Sequence, residues 1–281
     1  MAATDRTAGG GAGIESSSVV SAFPAQAAKT IGTHSGSFHC DEALACAMLK
    51  TLPEWQSAVI VRSRDPKVLD QCDAVVDVGG VYDAAKLRLD HHQKSFTDTM
   101  TELNSTTRLS SAGLVYRHFG RDFIKQIAAG RIPDAVIEKV LYNKVYKNFM
   151  EHIDGIDNGV NAFDGQPRYA VTTTLSSRVG SLNPSWNEDS SDAVVNAQFV
   201  KAMALTLSEM SAYITSLCTS WWPARSIVEA SLRKAVDVHP SGAVLVLDGF
   251  CPWKDHLMDL ETEQGLGPRT KFVLYAEVSW D

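Results

Sequence analysis

The sequence predicts an α/β fold with a parallel sheet flanked by helices, followed by a second, smaller α/β domain. From Thr30 onward, short apolar runs alternate with stretches of helical period, which is typical of parallel strands joined by helices. The chain has 281 residues, of which 44% are hydrophobic, and domains usually contain about 100–200 residues. The pattern changes again near residue 165, so we expect the second domain to begin there.

Strands are predicted where short runs are dominated by apolar residues. A further β-like segment begins at Thr30 and leads into His34. In an open α/β sheet, ligands bind at the carboxyl ends of the strands. The residues that follow each run are therefore candidates for one site. The predicted runs are Ala58–Val61, Ala74–Val78 and Leu87–Leu89.

Helices are predicted from apolar residues that recur at spacings of three and four. Asp41 is the expected N-cap of a helix running to Leu52, and Ser110 and Ser111 are the expected caps of a second helix. A third, longer helix covers the apolar positions from Ile137 to Ile156.

The two ends of the chain depart from this pattern. Residues 1–28 are rich in Ala, Gly, Ser and Thr, so we expect this segment to be disordered. The second half has a helical pattern from about Asp192 to Trp221 and apolar runs at Ala243–Leu247 and Phe272–Val278. We therefore expect domains at residues 29–165 and 166–281, and whether the second is truncated at Asp281 stays open.

Composition excludes several classes of protein. No window of about 18 uncharged apolar residues occurs, so neither a membrane span nor a membrane partner is predicted. Five cysteines without a C-x-x-C pair indicate reduced thiols and an intracellular location, which leaves cytoplasm, nucleus and mitochondrion open. The 26 basic and 33 acidic residues give a net charge of −7, which argues against a broad basic surface for long duplex nucleic acid.

Histidines and acids cluster where the first two strands are expected to end. The run THSGSFHCDE places His34, His39 and Asp41 between a β-like segment and a helix. A single histidine at such a place is more often structural than a ligand. Asp77 lies in an apolar strand, where an unpaired charge is costly and requires a partner such as a metal or an arginine.

Two further segments carry acids and imidazoles. The run LRLDHHQ ends a strand in Asp90, His91 and His92, and both histidines serve one site only if they lie on the turn after the strand. Asp154 and Asp157 lie three residues apart on one face of a helix end, where acids oppose the helix dipole unless a cation is nearby. A solvated turn and a solvated helix end are the alternatives for these segments.

The four segments together point to metal chemistry, because their combination is much rarer by chance than any one of them. Mixed imidazole and carboxylate ligands suit Mn, Fe, Co or Zn, and seven or eight ligands suffice for two ions bridged by one carboxylate. Such pairs stabilise the attacking and leaving oxygens in phosphoryl hydrolysis. The predicted donors are His34, His39, Asp41, Asp77, His91, His92 and one of Asp154 and Asp157.

The order of these residues resembles the four motifs of the DHH phosphoesterase superfamily, which includes RecJ-type exonucleases, family II pyrophosphatases and oligonucleotide phosphodiesterases. More closely, the chain resembles the Myg exonuclease family (melanocyte-proliferating-gene type) over about residues 30 to 278. The resemblance implies a DHH-type catalytic domain, a substrate-binding second domain and an active site in the cleft between them. Eight ordered blocks carry it: THSGSFHCDEALA, VVDVGGVYD, RLDHHQKSF, LSSAGLVYRHFG, IDGIDNGV, RVGSLNPSWN, WWPARSIVEA and CPWKDHLMDLE.

The resemblance also implies a role for each metal ligand. One metal would be held by His34, His39 and Asp77. The other would be held by Asp41, Asp77 and His91 together with the helix-end aspartate. Two divalent transition-metal ions are therefore expected as cofactors.

Asp90 and His92 are implied to act beside the metals. Asp90 would orient an imidazole, and His92 would face the scissile phosphate. The superfamily usually has Asp where His39 stands, one residue closer to the first His, and this departure leaves the identity of the metal open. Mn²⁺ is expected, with Zn, Fe, Co and Mg as alternatives. The second domain also lacks the GGGH loop of many relatives, so their substrate contacts cannot be transferred to it.

Substrate contacts are expected from the second half of the chain. Arg178 and Lys254 rank first because both are predicted to lie in non-periodic, Pro-containing loops. Packing in the core is the favoured interpretation for Trp221, Trp222 and Trp253, because large aromatic side chains usually pack. Phosphate contacts are expected from Arg168, Arg178, Asn183, Lys254 and His256, and base stacking from Trp186 and Trp253.

We expect a metal-dependent phosphodiesterase that acts in RNA processing as a 3′-5′ exonuclease on RNA or short single-stranded oligonucleotides. The substrate comes from the resemblance and not from the residues. Two alternatives stay open: a small-molecule phosphohydrolase of pyrophosphatase or dinucleotide phosphodiesterase type, and a non-catalytic, metal-stabilised interaction module. The sequence makes no prediction of the oligomeric state.

Overall fold

The structure, a computed structural model, describes residues 19–24 and 29–276. Its main feature is a six-stranded sheet in the order β1-β3-β2-β4-β6-β5, in which all neighbours are parallel except β5 and β6. This mixed α/β architecture with a mostly parallel sheet confirms the predicted class. The strands are β1 (Val19–Val20), β2 (Thr30–Thr33), β3 (Val59–Arg62), β4 (Ala74–Val76), β5 (Tyr82–Asp83) and β6 (Arg88–Leu89).

The centre of the sheet is formed by the strands that the sequence predicts. All four residues of β2 are buried. β4 ends at Val76, earlier than predicted, because Asp77 has a φ of 59°, outside the β region. Since β3, β2, β4 and β6 are adjacent and parallel, their carboxyl ends lie along one edge of the sheet.

The edge strand β1 lies inside the segment that the sequence predicts to be disordered. Val19 pairs with Ile60, Val20 pairs with Val61, and the side chain of Val19 is buried. Composition alone does not reveal such a strand, because two valines in a polar segment are ordered by the sheet and not by their neighbours. The rest of that predicted segment, residues 1–18 and 25–28, lies outside the described residues.

The first helix, α1 (Cys40–Thr51), corrects the prediction that Asp41 is its N-cap. The N-cap is His39, whose backbone N–H donates to Glu42 Oε1 at 2.8 Å. Asp41 therefore lies in the first turn of the helix, where its side chain is buried. The short helix α2 (Pro66–Leu69) follows β3.

The next two predicted helices are both present. Ser110 caps α3 (Ser111–Ala128) as expected, because its Oγ accepts the N–H of Gly113 at 3.3 Å. The predicted long helix contains two π-helical segments, each of which rotates the residues that follow it. It consists of α4 (Asp134–Val136), a π-helical segment (Ile137–Leu141), α5 (Tyr142–Val145), a second π-helical segment (Tyr146–Met150) and α6 (Glu151–Asp157).

Contacts divide the described residues into two compact units, one within residues 1–127 and 134–211 and the other within residues 128–133 and 212–281. The first unit contains the six-stranded sheet and also α7 (Leu175–Gly180), which packs against α1. The helix predicted from Asp192 is α8 (Asp192–Ser216), followed by a π-helical segment (Leu217–Trp221). The sequence places a boundary at residue 165 between a catalytic domain and a substrate-binding domain. This division by function stays a prediction.

The second unit contains α9 (Ala224–Val238), β7 (Val244–Val246), α10 (Lys254–Glu263) and β8 (Phe272–Leu274). β7 and β8 pair in parallel. Among the residues that the structure describes, none of the helices combines the length and the hydropathy that a membrane crossing requires. The core of this unit includes Val228, Leu232, Leu245, Leu257 and Leu260.

Candidate metal centre

Three segments with ionisable side chains meet at the carboxyl edge of the six-stranded sheet. His34 follows β2, Asp77 follows β4, and the run from Asp90 to His92 follows β6. The strands β2, β4 and β6 are neighbours, so the segments after them converge. Both histidines of that run lie on the turn after β6, as a shared site requires. The first turn of α1 and the last turn of α6 complete the site.

Asp77 lies at the centre of this site and is almost fully buried. Its Oδ2 lies 3.4 Å from His34 Nε2, and its Oδ1 lies 3.3 Å from His91 Nε2. Ser111 Oγ donates a hydrogen bond of 3.2 Å to the same Oδ1. Burial alone would raise the pKa of Asp77, but the hydrogen bonds from His34 and His91 hold it well below its usual range. Asp77 is therefore an anion that two imidazoles share.

Glu42 belongs to the site, although the sequence analysis did not identify it. It is fully buried, and its Oε1 lies 3.0 Å from His34 Nε2. Burial lowers the pKa of His34, but hydrogen bonds to Asp77 and Glu42 outweigh burial and raise it to about 10. A signal existed in the sequence: Asp41 and Glu42 are the only charges in the buried run from Cys40 to Leu49, and a buried charge requires a partner.

Asp41, His91 and Asp157 form a second group around His91. His91 Nε2 lies 3.1 Å from Asp157 Oδ2, and His91 Nδ1 lies 3.3 Å from Asn158 Oδ1. Burial lowers the pKa of His91, but hydrogen bonds to Asp157 and Asp77 raise it to about 10. Burial raises the pKa of Asp41 well above its usual range, and the nearby carboxylates of Asp77 and Asp157 raise it further.

These donor atoms suit metal ions. Within each of three groups, one nitrogen or oxygen of every residue lies within 4.8 Å of the others. Both carboxylate oxygens of Asp41 and the Oε2 of Glu42 are buried and have no hydrogen-bond partner among the described residues, so a cation would offset their desolvation. Mixed imidazole and carboxylate donors favour divalent transition metals. The groups are His34, His39, Glu42 and Asp77; Asp77, His91 and His92; and Asp41, His91 and Asp157.

Asp90 organises the turn that carries the two histidines. Its buried carboxylate accepts hydrogen bonds from the backbone N–H groups of Gly80 at 2.5 Å, His91 at 2.7 Å and His92 at 3.2 Å. Asp90 Oδ1 also lies 2.7 Å from Nδ1 of the His92 ring, a side chain that is 61% exposed. Because Nδ1 of the ring is bound to Asp90, Nε2 is the ring nitrogen that can bind a substrate or an ion.

The structure separates the two aspartates that the sequence offers as the helix-end ligand. Asp157 belongs to a donor group, whereas Asp154 belongs to none among the described residues. Asp154 is fully buried and accepts hydrogen bonds from Ser110 N–H at 3.0 Å, from Ser110 Oγ at 2.8 Å and from the Tyr146 hydroxyl at 3.1 Å. Burial raises the pKa of Asp154 to about 7 in spite of these hydrogen bonds.

Two cavities open beside the donors, and residues of the first unit line both. One cavity of about 270 Å³ includes Arg64, and the other, of about 360 Å³, includes Arg108. His39, Asp77 and His92 line both cavities. Neither arginine is among the site residues predicted from the sequence. Arg64 follows β3 at the carboxyl edge of the sheet, so its position along the chain was a usable signal.

Two of the predicted phosphate contacts have protein partners within the first unit. Arg178 lies on α7 and not in a loop, which corrects that prediction, and both its terminal nitrogens contact the Glu209 carboxylate. Asn183 binds the backbone of Phe38: it accepts the Phe38 N–H at 2.9 Å and donates Nδ2–H to the Phe38 carbonyl oxygen at 2.8 Å. Asn183 therefore holds the loop that carries His39.

Lys254 and His256 lie in the second unit. Lys254 is the exposed first residue of α10 and does not lie in a loop, which corrects that prediction. Its Nζ lies 5.8 Å from the centre of the Trp253 ring. His256 is fully buried, its Nε2 lies 2.7 Å from the Trp221 carbonyl oxygen, and burial lowers its pKa. This position is that of a packing residue and does not support a phosphate contact. Trp186, predicted to stack on bases, is 98% exposed.

Comparison with known proteins identifies relatives along most of the chain. The MYG1 exonuclease family model, described as "Uncharacterised protein family (UPF0160)", matches residues 30–281. The chain is 49% identical over 255 residues to the MYG1 exonucleases of Bos taurus and Homo sapiens, an alignment that covers 88% of this chain. It is 45% identical over 258 residues to MYG1 protein C27H6.8 of Caenorhabditis elegans, covering 89% of this chain and 75% of that protein. No solved structure matches the chain.

The relatives are longer than the aligned region. The chain spans 66% of the length of the bovine and human proteins. The family match begins at residue 30, where β2 begins, and it includes every segment that contributes a donor to the metal centre. The resemblance that the sequence motifs indicate is therefore confirmed, and the chain belongs to the MYG1 exonuclease family.

Proposed function

We propose that this protein is a metal-dependent phosphodiesterase whose active site is the donor cluster around Asp77. The observation that carries the proposal is one buried carboxylate that belongs to two groups of imidazole and carboxylate donors, because such a carboxylate can bridge two divalent ions. The relatives that are named MYG1 exonuclease support this class of reaction. The motif order further supports membership of the DHH superfamily.

The metal ions would be held by residues of the three donor groups other than His92. When bound, such ions withdraw charge from a phosphoryl oxygen and lower the pKa of a water molecule. We expect two ions and favour Mn²⁺, with Zn, Fe, Co or Mg as alternatives. One ion would be held by His34, His39, Glu42 and Asp77, and the other by Asp41, Asp77, His91 and Asp157.

The chain's own side chains would bind and orient the phosphate. Asp90 Oδ1, 2.7 Å from His92 Nδ1, fixes the His92 ring so that Nε2 can contact an oxygen of the scissile phosphate. Arg64 and Arg108 each line one cavity, where a guanidinium can bind non-bridging phosphate oxygens. Asp90 would thus act as a positioning residue and His92 as a catalytic residue.

We propose RNA or short single-stranded oligonucleotides, degraded from the 3′ end, as the substrate. The direction and the RNA preference rest on the family resemblance. Segment 159–173, which follows α6, favours a polynucleotide substrate. All its residues are exposed, and they include two aromatic side chains, Phe163 and Tyr169, which are 53% and 77% exposed. It lies between Asn158 and Ser176, two residues that line the larger cavity. Exposed aromatic rings beside a phosphate site are platforms on which bases of single strands stack.

A small-molecule phosphohydrolase is the second candidate. The observation in its favour is the size of the cavities, about 270 and 360 Å³, because a dinucleotide or a pyrophosphate would use the same donors without a long groove. The exposed aromatic residues of segment 159–173 would then have no part in substrate binding. A non-catalytic, metal-stabilised module would bind the ions and hydrolyse neither substrate.

A digest of end-labelled RNA tests the proposal. Purified protein with Mn²⁺ should shorten a single-stranded RNA stepwise from its 3′ end, and a chelator should stop the reaction. Asp77→Asn should lower the rate by about 1,000-fold or more, because the amide keeps the shape and loses the charge. Asp134→Asn, at an aspartate that is 74% exposed, is the control and should be fully active.

Two results would contradict the proposal, one from this digest and one from a parallel assay with pyrophosphate and a dinucleotide. A near-native rate for Asp77→Asn would remove Asp77 from the metal site. Hydrolysis of pyrophosphate or a dinucleotide, with RNA left intact, would favour the second candidate.

We also propose an intracellular location. All five cysteines are free and buried, which suits a reducing compartment. Fractionation of cells that express a tagged protein would test this location, and recovery from the medium would contradict it.

A further inference from the structure

The buried carboxylate of Asp154 connects two elements that carry metal-site residues. On α6, it lies one turn before Asp157. At the start of α3, its Oδ1 accepts both hydrogen bonds from Ser110, the N-cap residue. The next residue, Ser111, donates its Oγ–H to Asp77 Oδ1 at 3.2 Å. One side chain thus links the helix end that holds Asp157 to the turn that contacts Asp77.

A glycine on α3 allows that helix to approach the Asp154 carboxylate closely. A Cβ atom at Gly113, in the first turn of α3, would lie 2.7 Å from Asp154 Oδ2, closer than real Cβ atoms approach. The start of α3 therefore approaches α6 because residue 113 has no side chain. On the other side, the Tyr146 hydroxyl donates to Oδ2 at 3.1 Å.

The hydrogen bonds of Asp154 are those of a structural group and not of a ligand. Oδ1 receives two donors and Oδ2 receives one, so both oxygens are directed at protein atoms. A metal ligand must instead direct a lone pair at the ion. We propose that Asp154 is a positioning residue of the metal centre, which fixes Asp77 through Ser111 and fixes Asp157 through α6. This inference rests on the metal ions of the proposed function.

Residues that hydrogen-bond to metal ligands, without binding the metal themselves, have measurable effects on metal affinity. Loss of such a residue typically lowers metal affinity by about 10–100-fold. Asp154→Ala removes every hydrogen bond of the carboxylate, so it should weaken Mn²⁺ binding by about this factor. Asp154→Asn keeps an acceptor for Ser110 and the same shape, so its Mn²⁺ affinity should stay close to that of the wild type. A lost ligand charge is not rescued in this way, so Asp157→Asn should lose affinity.

A steric variant tests the same link without changing the carboxylate. Gly113→Ala places a methyl group against Asp154 and should weaken Mn²⁺ binding. Gly120→Ala is the matched control on the same helix, because its Cβ would lie 2.7 Å from Tyr116 Cδ2. Both variants should lower the thermal midpoint of the metal-free protein, but only Gly113→Ala should change the affinity for Mn²⁺.

The experiment is a Mn²⁺ titration of metal-stripped protein, together with the thermal midpoint of each variant. If Asp154→Asn loses as much affinity as Asp157→Asn, Asp154 is a ligand and the inference is overturned. If Gly113→Ala and Gly120→Ala change midpoint and affinity alike, Asp154 is only part of the core, which also overturns it. A wild-type protein that takes up no Mn²⁺ would overturn the proposed function itself, and the inference with it.

Discussion

His34 and His91 determine how the metal centre responds to pH. Burial lowers the pKa of each imidazole, but hydrogen bonds to neighbouring carboxylates raise both from 6.5 to about 10. A raised pKa means that the protonated rings stabilise the folded state fully below about pH 6.5. This stabilisation is lost as the pH rises towards 10. A metal ion binds the neutral ring, so it competes with these protons.

Metal binding near pH 7 should therefore release protons. The imidazoles of His34 and His91 should contribute roughly two of the protons released per chain when both sites fill, and His34→Gln should release roughly one fewer. Calorimetric titration with Mn²⁺ in two buffers of different ionisation enthalpy measures this number. The apparent affinity should also rise with pH between 6.5 and 10. An affinity that is independent of pH would show that these two rings are not ligands.

The residues of the centre were more predictable than their local structure. The sequence named six of the eight residues in the three groups outright, gave Asp157 only as an alternative to Asp154 and missed Glu42. The donors after β2, β4 and β6 were predictable because the carboxyl ends of parallel strands converge. The sequence could not decide between Asp154 and Asp157, since both lie on one helical face and only the contacts with Ser110 and Tyr146 separate them. The Asp41 cap was wrong because aspartate is favoured both at the N-cap and in the first turn of a helix, and here it lies two residues after the cap, His39.

At the level of structural elements, the loop between β2 and α1 depends on a residue far along the chain. Asn183 binds both backbone polar groups of Phe38, from 145 positions away. Asn183→Ala should free this loop and shift His39, so kcat should fall by a similar factor for an oligonucleotide and for a small chromogenic phosphodiester. Asn183→Asp keeps the acceptor and loses the donor, so it should give an intermediate loss.

Kinetics on the two substrates distinguish this role from the phosphate contact that the sequence predicted. A phosphate contact would raise KM for the oligonucleotide and leave the small substrate unaffected. That result would return Asn183 to the substrate-binding residues. Such long-range links between loops cannot be inferred from periodicity, which carries information over only a few neighbouring residues.

On the scale of the whole molecule, charge limits how nucleic acid can bind. The net charge is −7, and each of the two cavities is lined by a single arginine. Few phosphates would then be neutralised, so binding should depend only weakly on salt. With Arg64 and Arg108 as the two contacts, each contributing about −0.7, the slope of log affinity against log salt should be about −1.4 for a single strand. Binding of a catalytically inactive variant to labelled RNA between low and high salt tests this value, and a slope steeper than about −4 would indicate a basic groove.

The global architecture was only partly accessible from the sequence. Alternating strand and helix patterns were enough for the parallel sheet, because βαβ connections leave few other arrangements. The division into units was less accessible. α7 lies beyond the predicted boundary in sequence but packs against α1, and only tertiary contacts determine such an assignment.

The left-handed backbone conformation of Asp77 lowers the free energy of unfolding of the metal-free protein. A residue with a side chain at a φ of 59° is less stable than glycine there by about 1 kcal/mol. The hydrogen bond from Ser111 and the contacts with His34 and His91 hold the side chain in this conformation, and bound ions would stabilise it further. Asp77→Gly and Asp77→Ala both lack the carboxylate. The free energy of unfolding, measured by denaturant titration, should be about 1 kcal/mol higher for Asp77→Gly. Equal stability of the two would mean that this turn holds no strain, and that the enzyme gives up no stability to keep its acid at the end of β4.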